Sequence, residues 1–273
     1  MKTFALALGA GGARGLAHIA VIEALDEMGA KPAAIAGTSI GALIGAAYAA
    51  GMHGRDIRRH VIAIAHDRGE TMRRLMAARA GSVADIFGGA FGQAAQIDAE
   101  KFCAQFLPDA VPRDFAHLAI PLIVMATDLH RREEAALATG PLRPALAASI
   151  AIPGLLRPVA VGERVLIDGG TTNPLPFDRL HGLGDVIVAI DVLSLPPSER
   201  ADIPSPWASV ITTLNIMGSA IIAAKLAQKP PDLVIRPRVG IFRTLGFYQA
   251  TAILRAANSA KREIKERLES LLV

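Results

Sequence analysis

Apolar and polar positions along this chain follow two periods, and each change of period marks an element. Phe4–Leu8 is a short unbroken apolar run closed by glycine, the pattern of a strand buried on both faces. Over 14–28 the apolar residues Leu16, Ile19, Ala20, Ile22 and Leu25 recur at helical spacing, with Glu23, Asp26 and Glu27 outside, so a helix is expected to stop near Gly29. A second short strand over 33–36 and an Ala-rich helix over 41–50 follow. Strand–helix–strand–helix at the start predicts a parallel sheet covered by helices. Strand patterns return over 122–127, 134–138, 159–161 with 165–167, 186–192 and 233–235, and a short helix over 145–149 lies among them. The stretch 249–272 reads as an amphipathic helix with Ile253, Ala257, Ile264, Leu268 and Leu271 on one stripe.

Two stretches, 32–52 and 203–224, lack Asp, Glu, Lys and Arg and are long enough to cross a bilayer. Pro32, Gly37, Gly41, Gly45 and Gly51 punctuate the first, which reads better as strand, turn and helix. The second opens with Pro204, Ser205 and Pro206 and holds Thr212, Thr213, Asn215 and Ser219, so the expectation is a helix packed in a soluble core. The apolar run after Lys2 is too short for a signal peptide, because Gly9, Gly11 and Gly12 follow at once. The expected location is cytoplasmic or peripheral at a membrane. Residues 55–115 are Arg-rich, then Gly-rich at Gly88, Gly89 and Gly92, with no strand pattern; they read as helices and a loop over one side of the sheet. Residues 193–206 carry Pro196, Pro197, Pro204 and Pro206 and read as a surface loop.

Composition narrows the picture. A length of 273 residues fits a single α/β domain over 1–273. Hydrophobic residues at 52% exclude a disordered chain, and aromatics at 4% leave the core to Ala, Leu, Ile and Val. So few aromatics also argue against a base-stacking surface, and no nucleic-acid partner is expected. The net charge of +4 is local: residues 55–79 hold seven arginines against Asp56, Asp67 and Glu70. Arg55, Arg58 and Arg59 share one helical face there, a pattern that suits an anionic membrane surface or merely water. The single cysteine, Cys103, excludes an intramolecular disulfide and a Cys-rich zinc site, and fits a reducing compartment.

Three motifs carry candidate chemistry. Gly37-Thr38-Ser39-Ile40-Gly41 is a GxSxG between a predicted strand and a predicted helix. That context suits a nucleophile elbow, which exposes a serine hydroxyl at a helix N-terminus; a plain serine N-cap has the same pattern. Gly9-Ala10-Gly11-Gly12-Ala13-Arg14-Gly15 leaves the first strand and opens the first helix, offering backbone N–H groups to an anion. A dinucleotide site would also need an acidic residue at the end of the second strand, where Gly37-Thr38-Ser39 stands. The loop therefore reads better as an oxyanion hole built from Gly11 and Gly12, with a turn that binds no ligand as the plain alternative. Asp168-Gly169-Gly170 ends a predicted strand, either as a buried general base or as an Asp-Gly turn. No histidine stands in a distinctive frame, and His18 on the first helix reads as a packing or hydrogen-bonding residue.

Together, AGGARGLAHIAVIEAL, GTSIGA and DGGTTNPLP, in that order, resemble the patatin-like phospholipase family and its compact bacterial members. The stretches ATDL (126–129), ASIAIPGLLRPV (148–159) and DLVIRP (232–237) are similar too, whereas 55–115 carries no family motif. The resemblance implies a three-layer α/β fold with a mostly parallel sheet and helices on both faces. It implies a Ser39–Asp168 dyad without histidine, an oxyanion site at Gly11 and Gly12 ordered by Arg14, and an elbow framed by Gly37 and Gly41. It further implies that Gly169 and Gly170 follow the base, and that the chain uses no metal and no organic cofactor. The substrates implied are lipids or other acyl esters, cleaved through an acyl-enzyme as by a phospholipase or lysophospholipase. A thioesterase, an acyltransferase and a non-catalytic lipid-binding protein are the alternatives. The chain departs from the family at Ala10, which stands where the family has its first oxyanion glycine.

Overall fold

Eight strands form one sheet in the computed structural model, which describes residues 2–66, 97–194 and 203–273. Five of them, β3 (Leu122–Asp128), β2 (Ala34–Thr38), β1 (Phe4–Leu8), β7 (Val186–Ile190) and β8 (Leu233–Ile235), lie side by side and parallel in that order. The strands β4 (Glu133–Leu137), β5 (Val159–Val161) and β6 (Arg164–Asp168) join beyond β2 in antiparallel pairs. Every residue of β1, β2 and β7 is buried, as expected of parallel strands covered on both faces.

The two faces differ in residue size. Leu6, Leu8, Ile35, Val124, Val188 and Ile190 belong to the larger core. That core also takes in residues of α1 (His18–Glu27), α2 (Ile40–Ala49), α3 (Gly54–His66), α4 (Ala99–Phe106), α5 (Leu142–Ser149), α7 (Ala250–Ala256) and α8 (Asn258–Leu272). The other face shows mainly Ala5, Ala7, Ala34, Ala36 and Ala189. Such small side chains let Leu175, Phe177, Leu180 and Ile222 of helix α6 (Pro206–Gln228) come close to the sheet. With 4% aromatics, the chain builds close packing from alanine and branched aliphatics.

The pairing of β3 positions the site. Residues 122–125 pair with β2, residues 126–128 pair with β6, and β4 pairs across 124–128. A strand has two edges, and β4 occupies one of them along both of the other contacts. Hence β2 and β6 lie one after the other on the same edge, running in opposite directions. Their carboxyl ends meet, Thr38 at one and Asp168 at the other.

Several expectations are corrected. The stretch expected as a core helix, 203–224, forms α6, and its only buried residues are Gly218 and Ile222. A helix apolar around its whole circumference has no preferred inward side, so composition does not tell a core helix from one on the surface. Among the described residues it is the one helix long and apolar enough to cross a membrane. The C-terminal stretch is two helices, α7 and α8, joined at Ala257. Arg58 does not share a solvent face with Arg55 and Arg59: it turns inward and binds the buried carboxylate of Glu23 through two hydrogen bonds. The helix expected over 14–28 opens as a 3-10 turn, Gly12–Ala17, and becomes α-helical only at His18. Arg68, Arg73, Arg74, Arg79, Gly88, Gly89 and Gly92, with Pro196 and Pro197 of the expected loop, lie outside the described residues.

Candidate active site

Ser39 stands between β2 and α2 with φ 56 and ψ −123, a conformation that costs a non-glycine residue about 1–3 kcal/mol. The surroundings hold it there. Its N–H donates to Ser149 Oγ at 2.9 Å, and Ser149 Oγ donates in turn to the Met125 carbonyl at 2.6 Å. The turn needs glycine on both sides: a Cβ at Gly37 would lie 2.6 Å from Ala42 Cα, and one at Gly41 would lie 2.2 Å from the Leu8 carbonyl oxygen. Helix α2 therefore sits directly on the ends of β1 and β2, and its N-terminus points at the serine.

Ser39 Oγ donates to Asp168 Oδ2 at 2.7 Å, across 129 residues of sequence. Asp168 closes β6, and its N–H donates to the Ala151 carbonyl. Its other carboxylate oxygen accepts the Gly170 N–H at 2.6 Å. Burial pushes the carboxyl well above the usual carboxylate range, to about 6, although the bonds from Ser39 and Gly170 pull it down. No histidine among the described residues hydrogen-bonds to Ser39 or Asp168. Gly169 packs under the Met125 carbonyl, and the turn continues to Asn173, whose carbonyl accepts the Thr38 hydroxyl.

The glycine loop faces the same point. The N–H groups of Gly9, Ala10 and Ala13 are engaged by the carbonyls of Ile190, Pro174 and Thr244. No partner among the described residues takes up those of Gly11 and Gly12, and both residues line the cleft with Ser39. Gly12 has φ +57, and a Cβ there would lie 2.2 Å from the Thr244 carbonyl oxygen. Ala10 has no left-handed backbone, and its N–H points away to Pro174, so alanine fits there without strain. Arg14 is buried behind the loop, donating through Nε to the Phe242 carbonyl and through Nη2 to Thr244 Oγ1. His18 is fully buried, and its Nε2 lies 2.8 Å from the Gly9 carbonyl. Burial lowers its pKa to about 4, so near neutral pH it is uncharged and donates this bond.

Apolar residues complete the cleft: Ile152 and Pro153 after α5, Leu193 after β7, and Ile211, Leu214 and Met217 on α6. One buried hydroxyl–carboxylate pair and two open N–H groups thus lie at the base of a greasy slot. Such a site can hold an acyl chain while a nucleophile and anion-stabilising donors act on its carbonyl. Sequence reasoning named neither Ser149, an ordinary serine in an Ala-rich helix, nor the α6 wall. The resemblance of the 148–159 stretch was the sole pointer to Ser149.

The fold agrees with comparisons to known proteins. The patatin-like phospholipase model matches residues 6–181, and the chain belongs to that family. An uncharacterized NTE family protein of Mycobacterium bovis is 36% identical over 189 residues, which are 69% of this chain and 48% of that protein. The lysophospholipase nte1 of Aspergillus fumigatus is 28% identical over 297 residues, covering 98% of this chain and 18% of its own length. The chain thus spans about half the length of the mycobacterial relative and a smaller part of the fungal one. Among solved structures, VipD from Legionella pneumophila superposes with a TM-score of 0.52 at 14% identity. The match covers 97% of this chain and 67% of VipD, and it is a likeness of fold.

Proposed function

We propose that this chain hydrolyses carboxylic esters of fatty acids, as a phospholipase or lysophospholipase does, through an acyl-enzyme on Ser39. The observation that carries the proposal is the 2.7 Å hydrogen bond from Ser39 Oγ to the buried Asp168 carboxylate, inside an apolar cleft and beside open N–H groups. Family membership and a relative named as a lysophospholipase support the substrate class.

In this reading Asp168 is the general base. It takes the Ser39 proton as Oγ attacks the ester carbonyl carbon, and the carbonyl oxygen becomes an alkoxide facing the N–H groups of Gly11 and Gly12. Collapse of the tetrahedral intermediate breaks the bond to the leaving alcohol, which takes the proton from Asp168. Water then attacks the acyl-enzyme, giving its proton to Asp168. Collapse releases the fatty acid, and Ser39 regains its proton. A bare aspartate is a weak base; burial that raises its pKa to about 6 brings it closer to the task. Arg14 holds the glycine loop from behind, Gly37 and Gly41 allow the elbow, and Gly169 and Gly170 carry the turn after the base.

Covalent labelling with a fluorophosphonate, read by intact mass, tests this. The wild-type chain is expected to gain one label, Ser39→Ala none, and Asp168→Asn to label far more slowly. Labelling of Asp168→Asn at the wild-type rate would mean that another group is the base.

A further inference from the structure

Helix α6 turns one stripe inward, with Ile211, Leu214, Asn215, Gly218 and Ile222 along it. Its outer face carries Val210, Thr213, Ile216 and Ala220 into solvent, with Ile216 63% exposed; Met217, 55% exposed, stands at the border of this face and the cleft, and Trp207, half-exposed, ends the inward stripe at the rim. No charged residue occurs from Pro206 to Ala224, and Ile203 just ahead is 97% exposed. Surface helices ordinarily place polar residues outward, and an apolar patch of this extent marks an interaction surface.

We propose that this face docks the protein onto an anionic lipid bilayer and sets the mouth of the Ser39 cleft against it. Two observations favour a bilayer over a second copy of the chain. The first is continuity. Ile211, Leu214 and Met217 of the same helix form a wall of the cleft, and the Trp207 ring lies against Gly154, next to Pro153 of the opposite wall. A lipid entering from a bilayer passes along an unbroken apolar path, whereas a protein seated on this face would lie over the entrance. The second is what flanks the helix. Asn215 donates to Thr244 Oγ1 at 2.8 Å, and the chain leaving Thr244 carries Phe247 and Tyr248 outward. That turn, Phe247–Gln249, packs on α3, whose Arg55 and Arg59 are exposed and share Asp56 as their partner, leaving one net positive charge. An apolar face with aromatic rings beside it, and arginines on the next element, is the make-up of a surface seated at an anionic lipid–water interface. The apolar helix is thus the contact, and the arginines of α3, beyond the Phe247–Gln249 turn, add positive charge on the element next to it.

The inference rests on the proposed function for the nature of the substrate, and the experiment separates the two. Trp207, half-exposed at the cleft rim beside this face, is the only tryptophan, so its emission reports that edge of the cleft alone. The Ser39→Ala protein, which cannot consume the lipid, is mixed with phosphatidylcholine vesicles with and without phosphatidylglycerol. A blue shift and quenching by bromine-labelled acyl chains are expected, stronger with phosphatidylglycerol. Val210→Glu with Ile216→Glu, both outside the cleft, is expected to weaken vesicle binding by at least about tenfold. The same pair in the otherwise wild-type chain should leave cleavage of a soluble short-chain ester unchanged. Arg55→Glu with Arg59→Glu is expected to cost about fivefold per residue on phosphatidylglycerol vesicles only. No shift and no quenching, or undiminished binding by the glutamate pair, overturns the proposal. So does a wild-type dimer in sedimentation that the glutamate pair dissolves while vesicles stay unbound. Docking without ester cleavage would strike the proposed activity alone; cleavage without docking would strike this inference alone.

Discussion

The two walls of the cleft are built on opposite principles. On the sheet side, Ser39, Ser149 and Asp168 are buried, and each makes at least one hydrogen bond to another part of the chain. On the α6 side, Ile211, Leu214 and Met217 offer no polar atom, the Asn215 amide is turned to Thr244, and Met217 is more exposed than buried. The polar wall holds a strained serine and a carboxylate with a raised pKa, features that persist only where the surroundings over-determine them. The apolar wall is held by one inward stripe, with Gly218 and Ile222 its only buried residues. In the proposed function, chemistry belongs to the polar wall and admission of substrate to the apolar one.

The largest effects are expected on the polar wall. Asp168→Asn keeps the shape, with the amide oxygen able to accept from Gly170 and the nitrogen facing Ser39. Loss of the base should lower kcat/KM on a soluble ester by about 10²–10⁴-fold. The same substitution should stabilise the fold. Burial raises the Asp168 pKa to about 6 in the native state, above its value in the unfolded chain. The native state thus holds a proton that the unfolded state releases, so this stabilisation is present at acid pH and lost as pH rises through about 6. At neutral pH the ionised carboxylate costs about 1–3 kcal/mol, which an uncharged Asn removes. Thermal melts at neutral pH should show a higher Tm for Asp168→Asn, with the difference vanishing on acidification. In the wild type, kcat/KM should fall about tenfold per pH unit below about 6, because the base must be ionised. A dead variant that is less stable at neutral pH would break the picture of a site held at the expense of stability.

Next come the groups behind the glycine loop. Arg14→Ala removes both bonds to the 242–244 segment and leaves a void behind Gly11 and Gly12. A loss of about 10²-fold in kcat is expected if the loop is the oxyanion site, with KM for a soluble ester little changed. Arg14→Lys, a single donor group where the guanidinium spans two acceptors, should recover only part of it. A KM effect alone would place Arg14 in substrate binding instead.

How far the sequence discloses each wall follows from the same contrast. Serine, glycine loop and aspartate sit in short local patterns, because a turn that exposes Ser39 needs Gly37 and Gly41 within two residues of it. The strand patterns are equally local: Phe4–Leu8 and Leu233–Ile235 have the expected bounds, while β2 runs on to Thr38 because its pairing with β3 continues to Met125. The meeting of Thr38 with Asp168 depends on β2 and β6 sharing an edge of β3, which no local spacing encodes. Helix α6 lies at the surface although its sequence suits a core, because hydrophobicity states that a segment resists water, and not which neighbour covers it. The inward turn of Arg58 is equally hidden from local spacing, since its partner Glu23 lies 35 residues away on another helix.

Ser149 sharpens the comparison at an intermediate scale. Ser149→Ala leaves the buried Ser39 N–H without its acceptor, which costs about 1–3 kcal/mol of stability. The elbow then loses one of the bonds that hold Ser39 at φ 56. A fall of about tenfold in kcat is expected, with KM and the pH profile unchanged, because Asp168 keeps its own contacts. A shifted pH profile would mean that Ser149 acts on the carboxylate and not on the serine backbone.

The smallest effect is expected on the apolar wall, and it differs in kind. Leu214→Ala on α6 removes side-chain surface from the cleft without touching a polar group. A long-chain ester then loses contact along the slot, at about 0.8 kcal/mol for each methylene no longer buried. A short-chain ester does not reach that far. The ratio of kcat/KM for long over short chains should therefore fall several-fold, while the short-chain rate holds. Substitutions on the polar wall should instead lower both rates together and leave the ratio alone. If Leu214→Ala lowered both rates equally, α6 would be bracing the dyad, and the division between a polar wall for chemistry and an apolar one for admission would fail.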